Sequence, residues 1–254
     1  MHHLIDREIL EIAGIDAISF LQNLITNDLM NIQEKKIIHT FLLNNKGKIL
    51  FEFYIHEIEG RFLIDVNSDA IEALMSHLKA YKLRSNIVIS IQDKYAVYWI
   101  NSDSDYPTDP RNEKIGIRRV IKKDQITEYN IKDNYDNIRI NQSIAELNKD
   151  FKSGDIFPHE LASHDNSISR KKGCYPGQEI ISRVYHNKVI SKKEFVRFAC
   201  SGTLKSQGTK LLLNGKEIGF LGSSADGVCL AYVNRELKPD YYEVVDDKLI
   251  DISL

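Results

Sequence analysis

Lys172-Gly173-Cys174-Tyr175-Pro176-Gly177-Gln178-Glu179 is the stretch on which the reading of this chain turns. Two glycines and a proline within it force a tight turn rather than a helix or a strand. The turn carries one thiol, and Gly173 beside it leaves room for another molecule to approach closely. From Asn166 to Arg197 there are eight Lys or Arg against two Glu. Nearby cations favour thiolate over thiol, which marks Cys174 as a candidate reactive sulfur. The competing reading is a solvated basic loop with an incidental cysteine. Cys200 and Cys229 lie within apolar runs and read as small buried hydrophobes.

Upstream of this segment, strand and helix signals alternate. Asp16 is placed to cap a helix with Ala17, Phe20, Leu21, Leu24 and Ile25 at helical spacing. Residues 37–43 and 48–55 are β-rich runs separated by the turn Asn44-Asn45-Lys46-Gly47. A third strand is expected over 61–66. A helix from Ser68 or Asp69 follows, with Ile71, Leu74, Met75, Leu78 and Tyr81 in one stripe. Residues 87–91 and 96–100 are again strand-like, 101–114 reads as a surface loop, and a helix is expected around Tyr135. After about residue 190 come short strands without helices, including an Asn214-Gly215 turn, which suggests a small closed barrel. The chain therefore reads as an α+β body, residues 1–187, followed by a β-barrel, residues 188–254.

Composition removes several classes. The 254 residues carry 34 Lys and Arg against 36 Asp and Glu, so this is no polycation built to coat nucleic acid. The longest uninterrupted apolar runs, Val228 to Val233 among them, are six residues, far short of the roughly 20 a membrane-spanning helix needs. No basic-then-apolar leader opens the sequence. Three cysteines with no CxxC argue against a disulfide framework and lead to the expectation of a reducing cytoplasm. His159, His164, Cys174 and His186 are acceptable metal ligands in type, but their spacing fits no compact site, so no metal is expected. No Walker loop, GxGxxG or HExxH stands in the sequence.

The segment Lys172 to Glu179 fits the pattern KGCYxGQE, and on it the chain resembles the YgfZ family. These are folate-binding proteins of iron–sulfur cluster maintenance and include a mitochondrial assembly factor. Further stretches share the resemblance along nearly the whole chain. They are Gly14-Ile15-Asp16-Ala17 with Phe20-Leu21-Gln22 and Thr26-Asn27-Asp28, then Lys46-Gly47-Lys48. Asp109-Pro110-Arg111 with Gly116-Ile117-Arg118, Phe157-Pro158-His159-Glu160-Leu161, Arg183, and Gly219 with Gly222 complete them.

The resemblance implies the fold shared with the glycine-cleavage T-protein, a tetrahydrofolate-dependent aminomethyltransferase. That fold is a cloverleaf of subdomains around a central cavity, ending in a small β-barrel, and it would divide the body into two interleaved subdomains. It implies tetrahydrofolate, or a derivative, as cofactor. Glu160, Gln178 and Glu179 are then candidates for the pterin edge, Tyr135 and Tyr175 for its faces, and Lys172 and Arg183 for the anionic tail. The implied function is an accessory role in assembly or repair of iron–sulfur enzymes, including radical tRNA-modifying ones, with Cys174 carrying the thiol chemistry. The expected partners are folate and iron–sulfur enzymes or assembly factors, with no stable contact to nucleic acid or membrane. The alternative is a folate-dependent aminomethyl or one-carbon transferase. Against it, Phe51-Glu52 stands where the T-protein has a pair of aspartates, and Asp165 only loosely matches the family's NLD stretch.

Overall fold

The computed structural model describes residues 1–101, 106–126, 135–187, 191–199, 207–213, 216–236, 241–244 and 248–251. The chain opens with β1 (His2–His3), β2 (Arg7–Ala13), α1 (Ala17–Gln22) and α2 (Ile32–Lys35). Then come β3 (Ile37–Leu43), β4 (Ile49–Ile58), β5 (Arg61–Asn67), α3 (Ile71–Lys82), β6 (Val88–Ile91) and β7 (Tyr95–Ile100). β8 (Ile117–Lys122), α4 (Tyr135–Asn141), α5 (His164–Ser167) and α6 (Gln178–His186) follow. The last part is strands: β9 (Lys193–Ala199), β10 (Lys210–Leu213), β11 (Lys216–Ala225), β12 (Val228–Asn234), β13 (Tyr241–Val244) and β14 (Lys248–Asp251).

Three antiparallel sheets result. The first, in the order β3-β4-β5-β2-β6, is covered on one face by α1 and α3. The helical spacing of Ile71, Leu74 and Leu78 puts all three against Leu10, Ile12, Phe53 and Ile64, while Tyr81 at the end of the stripe is exposed. Each such fully buried aliphatic side chain stabilises by roughly 1.5–3 kcal/mol. A 3-10 turn, Ser68–Ala70, leads into α3 and begins at Ser68 as the sequence suggests; its cap is Asn67, whose side chain accepts from the Asp69 N–H. On the other face lies the sheet β1-β7-β8, with Val97 and Trp99 packed toward Ile9 and Leu63.

β3 and β4 are joined by the expected turn. The Gly47 N–H closes on the Asn44 carbonyl at 2.9 Å, and the Asn44 side chain accepts from the N–H groups of Lys46 and Lys48 at 2.9 and 3.0 Å. The stretch expected as a surface loop after β7 is different: Asp109 and Arg111 within it are buried, because the guanidinium finds carboxylates inside. The third sheet runs β14-β13-β10-β11-β12-β9. Among the described residues it is an open sheet with β9 and β14 at its edges, where the sequence suggested a closed barrel. The Asn214-Gly215 turn lies outside the described residues, as does Cys200. Phe195, Leu230 and Tyr232 of this sheet pack with Phe41, Phe151 and Tyr175, so the C-terminal strands share a core with the body.

Candidate functional site

The segment 169–179 is clamped at several points before it presents its thiol. The Ser169 N–H donates to the Thr26 carbonyl at 3.0 Å. Lys172 turns inward, and its Nζ donates to the carbonyls of Gln22, Ile25 and Asn27 at 2.6, 2.7 and 3.0 Å. These carbonyls stand at and just beyond the C-terminal end of α1, where an ammonium satisfies orphaned acceptors and complements the helix dipole. Burial disfavours the charged amine and lowers its pKa to about 8, with Asp28 partly offsetting the effect. Tyr175 buries its ring among Phe41, Leu43 and Phe151, and that burial raises its phenol to about 12.

Gly177 completes the clamp. Its φ is +80°, and a Cβ there would lie 2.5 Å from the Asn44 carbonyl oxygen, so the β3–β4 turn presses directly on the segment. From Gly177 the chain enters α6, which the sequence reading did not anticipate; Gln178 and Glu179 form its first turn. Cys174 is left exposed between these anchors, and it is a free thiol. It borders a cleft of about 290 Å³ with Asn45, Tyr175, Gln178 and Glu179. Cys229 is the opposite case: it is buried on β12 as its apolar run suggests, but it is disulfide-bonded, which corrects the expectation drawn from the sparse cysteine count.

The structure therefore brings Cys174, Tyr175, Gln178 and Glu179 together, with Lys172 beneath them. Arg183 sits one turn further along α6 and pairs with Glu179 at 2.9 Å, both exposed. Glu160 lies on the 3-10 turn Pro158–Glu160, where it accepts from the Phe157 N–H at 2.8 Å and from Ser191 Oγ at 3.2 Å. Tyr135 is not brought to the cleft. Its hydroxyl is buried among Arg111, Arg118 and Glu146.

A larger cavity of about 420 Å³ opens between α5, α6 and the segment after Pro158. Its walls include Tyr175, Gln178, Ser191 and His159, with the guanidiniums of Arg170 and Arg235 at its border. His159 Nδ1 is buried and has no hydrogen-bond partner among the described residues. This volume falls in the range of about 300–1,000 Å³ typical of small-molecule sites. A side-chain amide, a tyrosine and two guanidiniums, which pair here with Asp165 and Glu194, give this cavity the chemistry for a flat heteroaromatic ligand with an acidic tail. His164 and His186 border the same cavity, but no three His, Cys, Asp or Glu among the described residues converge to hold a metal ion.

Sequence reasoning missed a buried ion network between the first two sheets. Asp65 accepts from Arg7 Nε at 2.6 Å and from Arg118 Nε at 2.6 Å. Arg111 bonds Asp109 at 2.9 Å and Glu146 at 2.7 Å, and Arg139 bonds Asp150 at 2.7 Å. The available signal was single charges inside apolar strand runs, such as Asp65 in Phe62-Leu63-Ile64-Asp65-Val66. Glu52 belongs to the same interior. It accepts from His39 Nε2 at 2.9 Å and from the Leu147 N–H at 2.6 Å, while His39 Nδ1 meets Ser167 Oγ at 2.6 Å. Burial lowers the His39 pKa despite Glu52.

Comparison with known proteins places this geometry in context. No family model matches the chain. It is 28% identical over 246 residues to the mitochondrial iron–sulfur cluster assembly factor IBA57 homolog of Dictyostelium discoideum, covering 74% of this chain and 60% of that protein. To the mitochondrial IBA57 homolog of Mycosarcoma maydis it is 26% identical, covering 74% of this chain and 54% of the relative. Against these two the match spans little more than half of the relative's length. Human mitochondrial IBA57 is 26% identical over 272 residues, covering 91% of this chain and 76% of that one. Among solved structures, glycine cleavage system aminomethyltransferase T from Bartonella henselae superposes with a TM-score of 0.74 at 14% identity, covering 100% of this chain and 84% of that one. The chain has the aminomethyltransferase T fold, as its sequence led us to expect. The cytoplasmic location is corrected: the curated relatives are named mitochondrial proteins. The expectation rested on a sparse cysteine count without a CxxC, which does not identify a compartment, and Cys229 is in fact disulfide-bonded.

Proposed function

We propose that this protein is an iron–sulfur cluster assembly or repair factor of the YgfZ type, in which Cys174 supplies the thiol and tetrahydrofolate occupies the neighbouring cavity. The observation that carries the reading is Cys174 itself. It is an exposed free thiol on a segment fixed by the three carbonyl contacts of Lys172, the buried ring of Tyr175 and the close fit of Gly177. An incidental loop cysteine has no need of such anchoring. An exposed cysteine sulfur held in place at the surface is suited to transient bonding with a cluster or a partner's sulfur. Named iron–sulfur assembly factors among the relatives support the same reading.

In this proposal Tyr175, Gln178 and His159 hold the pterin end of the folate, Glu160 acts behind the lining through its hydrogen bond with Ser191, and Arg170 and Arg235 receive the acidic tail. Lys172 and Arg183 do not line the cavity and are not assigned to the tail, whereas Arg170 and Arg235 line it and would exchange their carboxylate partners, Asp165 and Glu194, for the ligand's. The bound folate would supply a redox-active, one-carbon-carrying ring in the cavity that shares Tyr175 and Gln178 with the cleft of the thiol. Aminomethyl transfer is not part of the proposal, because Glu52 is buried and engaged by His39 and Leu147. The client proteins are iron–sulfur enzymes, radical tRNA-modifying ones among them. The test of the folate part is titration calorimetry with tetrahydrofolate. The expected Kd lies between micromolar and millimolar, about −8 to −4 kcal/mol. Gln178→Ala should weaken binding. Absence of heat and of any thermal shift at millimolar ligand would remove folate from the proposal.

A further inference from the structure

The two edges of the first sheet are finished differently. β3 is covered, with the Thr26 N–H donating to the Phe41 carbonyl and the Asn27 N–H to Thr40 Oγ1, each at 3.0 Å. β6 pairs with β2 alone among the described residues. The Gln92 N–H reaches the Ile9 carbonyl at 2.8 Å. Antiparallel alternation therefore turns the N–H and C=O groups of Ile89 and Ile91 outward, away from the sheet. An edge left in this state is a template for another strand.

Beside the edge, apolar side chains stand in water. Ile15 is 85% exposed, Leu83 88% and Val88 64%. They converge on the turn from α3 to β6: Asp16 accepts from the Asn86 N–H at 2.7 Å, and Val88 pairs in register with Ala13. Leu83 adds backbone strain to its exposure, with φ +44° and ψ −110°, a conformation that β-carbon-bearing residues avoid. Lys79, Lys82 and Arg84 flank the same turn without an ion-pair partner among the described residues.

We infer that this edge docks an acidic, extended segment of a partner protein, added as a strand alongside β6. The main chain of Ile89 and Ile91 would supply the ladder, Ile15, Leu83 and Val88 the apolar contacts, and Lys79, Lys82 and Arg84 the sites for carboxylates. The three cations select the occupant's sign, since a basic strand would meet like charges on entry. The inference is independent of the role of Cys174 and of folate.

The test uses the full chain and two fluorescein-labelled peptides, EEVTVTVEE and KKVTVTVKK, followed by fluorescence anisotropy. The acidic peptide should bind at least tenfold more tightly than the basic one, and less tightly as salt rises. Arg84→Glu should weaken it tenfold or more. Ile91→Pro, which removes an outward N–H at an edge position that tolerates proline, should do the same. If Ile91→Pro does not fold, Leu83→Asp, altering an exposed side chain, is expected to give the same loss with an unchanged urea midpoint. No binding at millimolar peptide, equal binding of both peptides, or variants that bind like the parent would overturn the inference. So would sedimentation showing a dimer that Leu83→Asp dissociates, since the edge would then be occupied by a second copy.

Discussion

Replacing Asp65 with Asn tests how the first two sheets are joined. Asp65 is fully buried on β5 and receives Arg7 Nε and Arg118 Nε, each at 2.6 Å, with Arg118 Nη2 at 3.2 Å. Asparagine preserves the volume but turns an NH2 donor toward guanidinium donors and leaves two buried cations facing a neutral group. Breaking a buried pair by neutralising one partner costs about 3–5 kcal/mol. Whole domains are stable by only about 5–15 kcal/mol. For a chain of this size each kcal/mol is worth roughly 2–4 °C, so the melting temperature should fall by roughly 6–20 °C. Burial alone would raise the Asp65 carboxyl, yet Arg118 and Arg7 overcome it and hold the group well below the usual carboxylate range. A carboxyl whose folded pKa lies below its unfolded value, about 3.9, contributes stability above that pH and loses it as pH falls toward the folded value. The gap between parent and variant should therefore be full at pH 7 and shrink below about pH 4. Urea unfolding from pH 7 down to 2.5 measures this. A difference under about 1 kcal/mol at pH 7, or one that does not change on acidification, would refute the reasoning.

Gly177→Ala should destabilise by about 1–3 kcal/mol, because φ is +80° and the new Cβ would meet the Asn44 carbonyl at 2.5 Å. An unchanged urea midpoint would show that the β3–β4 turn yields easily. In a carbon-13 methylated sample, the Lys172 amine should titrate near its lowered value of about 8, and the signal should vanish in Lys172→Arg. A lowered cation pKa also means that the unfolded chain holds this proton longer. The Lys172 contribution to stability should therefore improve as pH rises from about 8 toward 10, and a lysine titrating with the exposed ones would contradict this. Timed alkylation of the native protein should label Cys174 before any other residue and leave Cys229, buried and disulfide-bonded, unlabelled; mass-spectrometric mapping of Cys229 first would count against the site.

The site segment was legible because its information is local. Two glycines, a proline and a cysteine define a turn without reference to anything distant, and the turn is there. The hairpin at Asn44 and the stripe of Ile71, Leu74 and Leu78 were legible for the same reason. What escaped depends on contacts far apart in sequence. Lys172 read as a candidate for an anionic ligand, but its partners at Gln22, Ile25 and Asn27 lie roughly 150 residues away, and no periodicity announces them. Asp65 and Arg118 are each visible as odd charges among apolar neighbours, yet only the packing of β5 against β8 pairs them. Closure of the terminal barrel was read from strand spacing, which fixes the strands but not whether β9 and β14 meet. Location left no trace in composition at all.

The role of Cys174 is best tested by its replacement. In cells lacking the native factor, Cys174→Ala should be present at parental levels with an unchanged melting temperature, since the thiol is exposed and makes little packing contact. Its iron–sulfur enzyme activities should fall to those of cells without the protein, while the parent restores them. A Cys174→Ala protein that restores those activities in full would contradict the assignment of the thiol as the working group of this site.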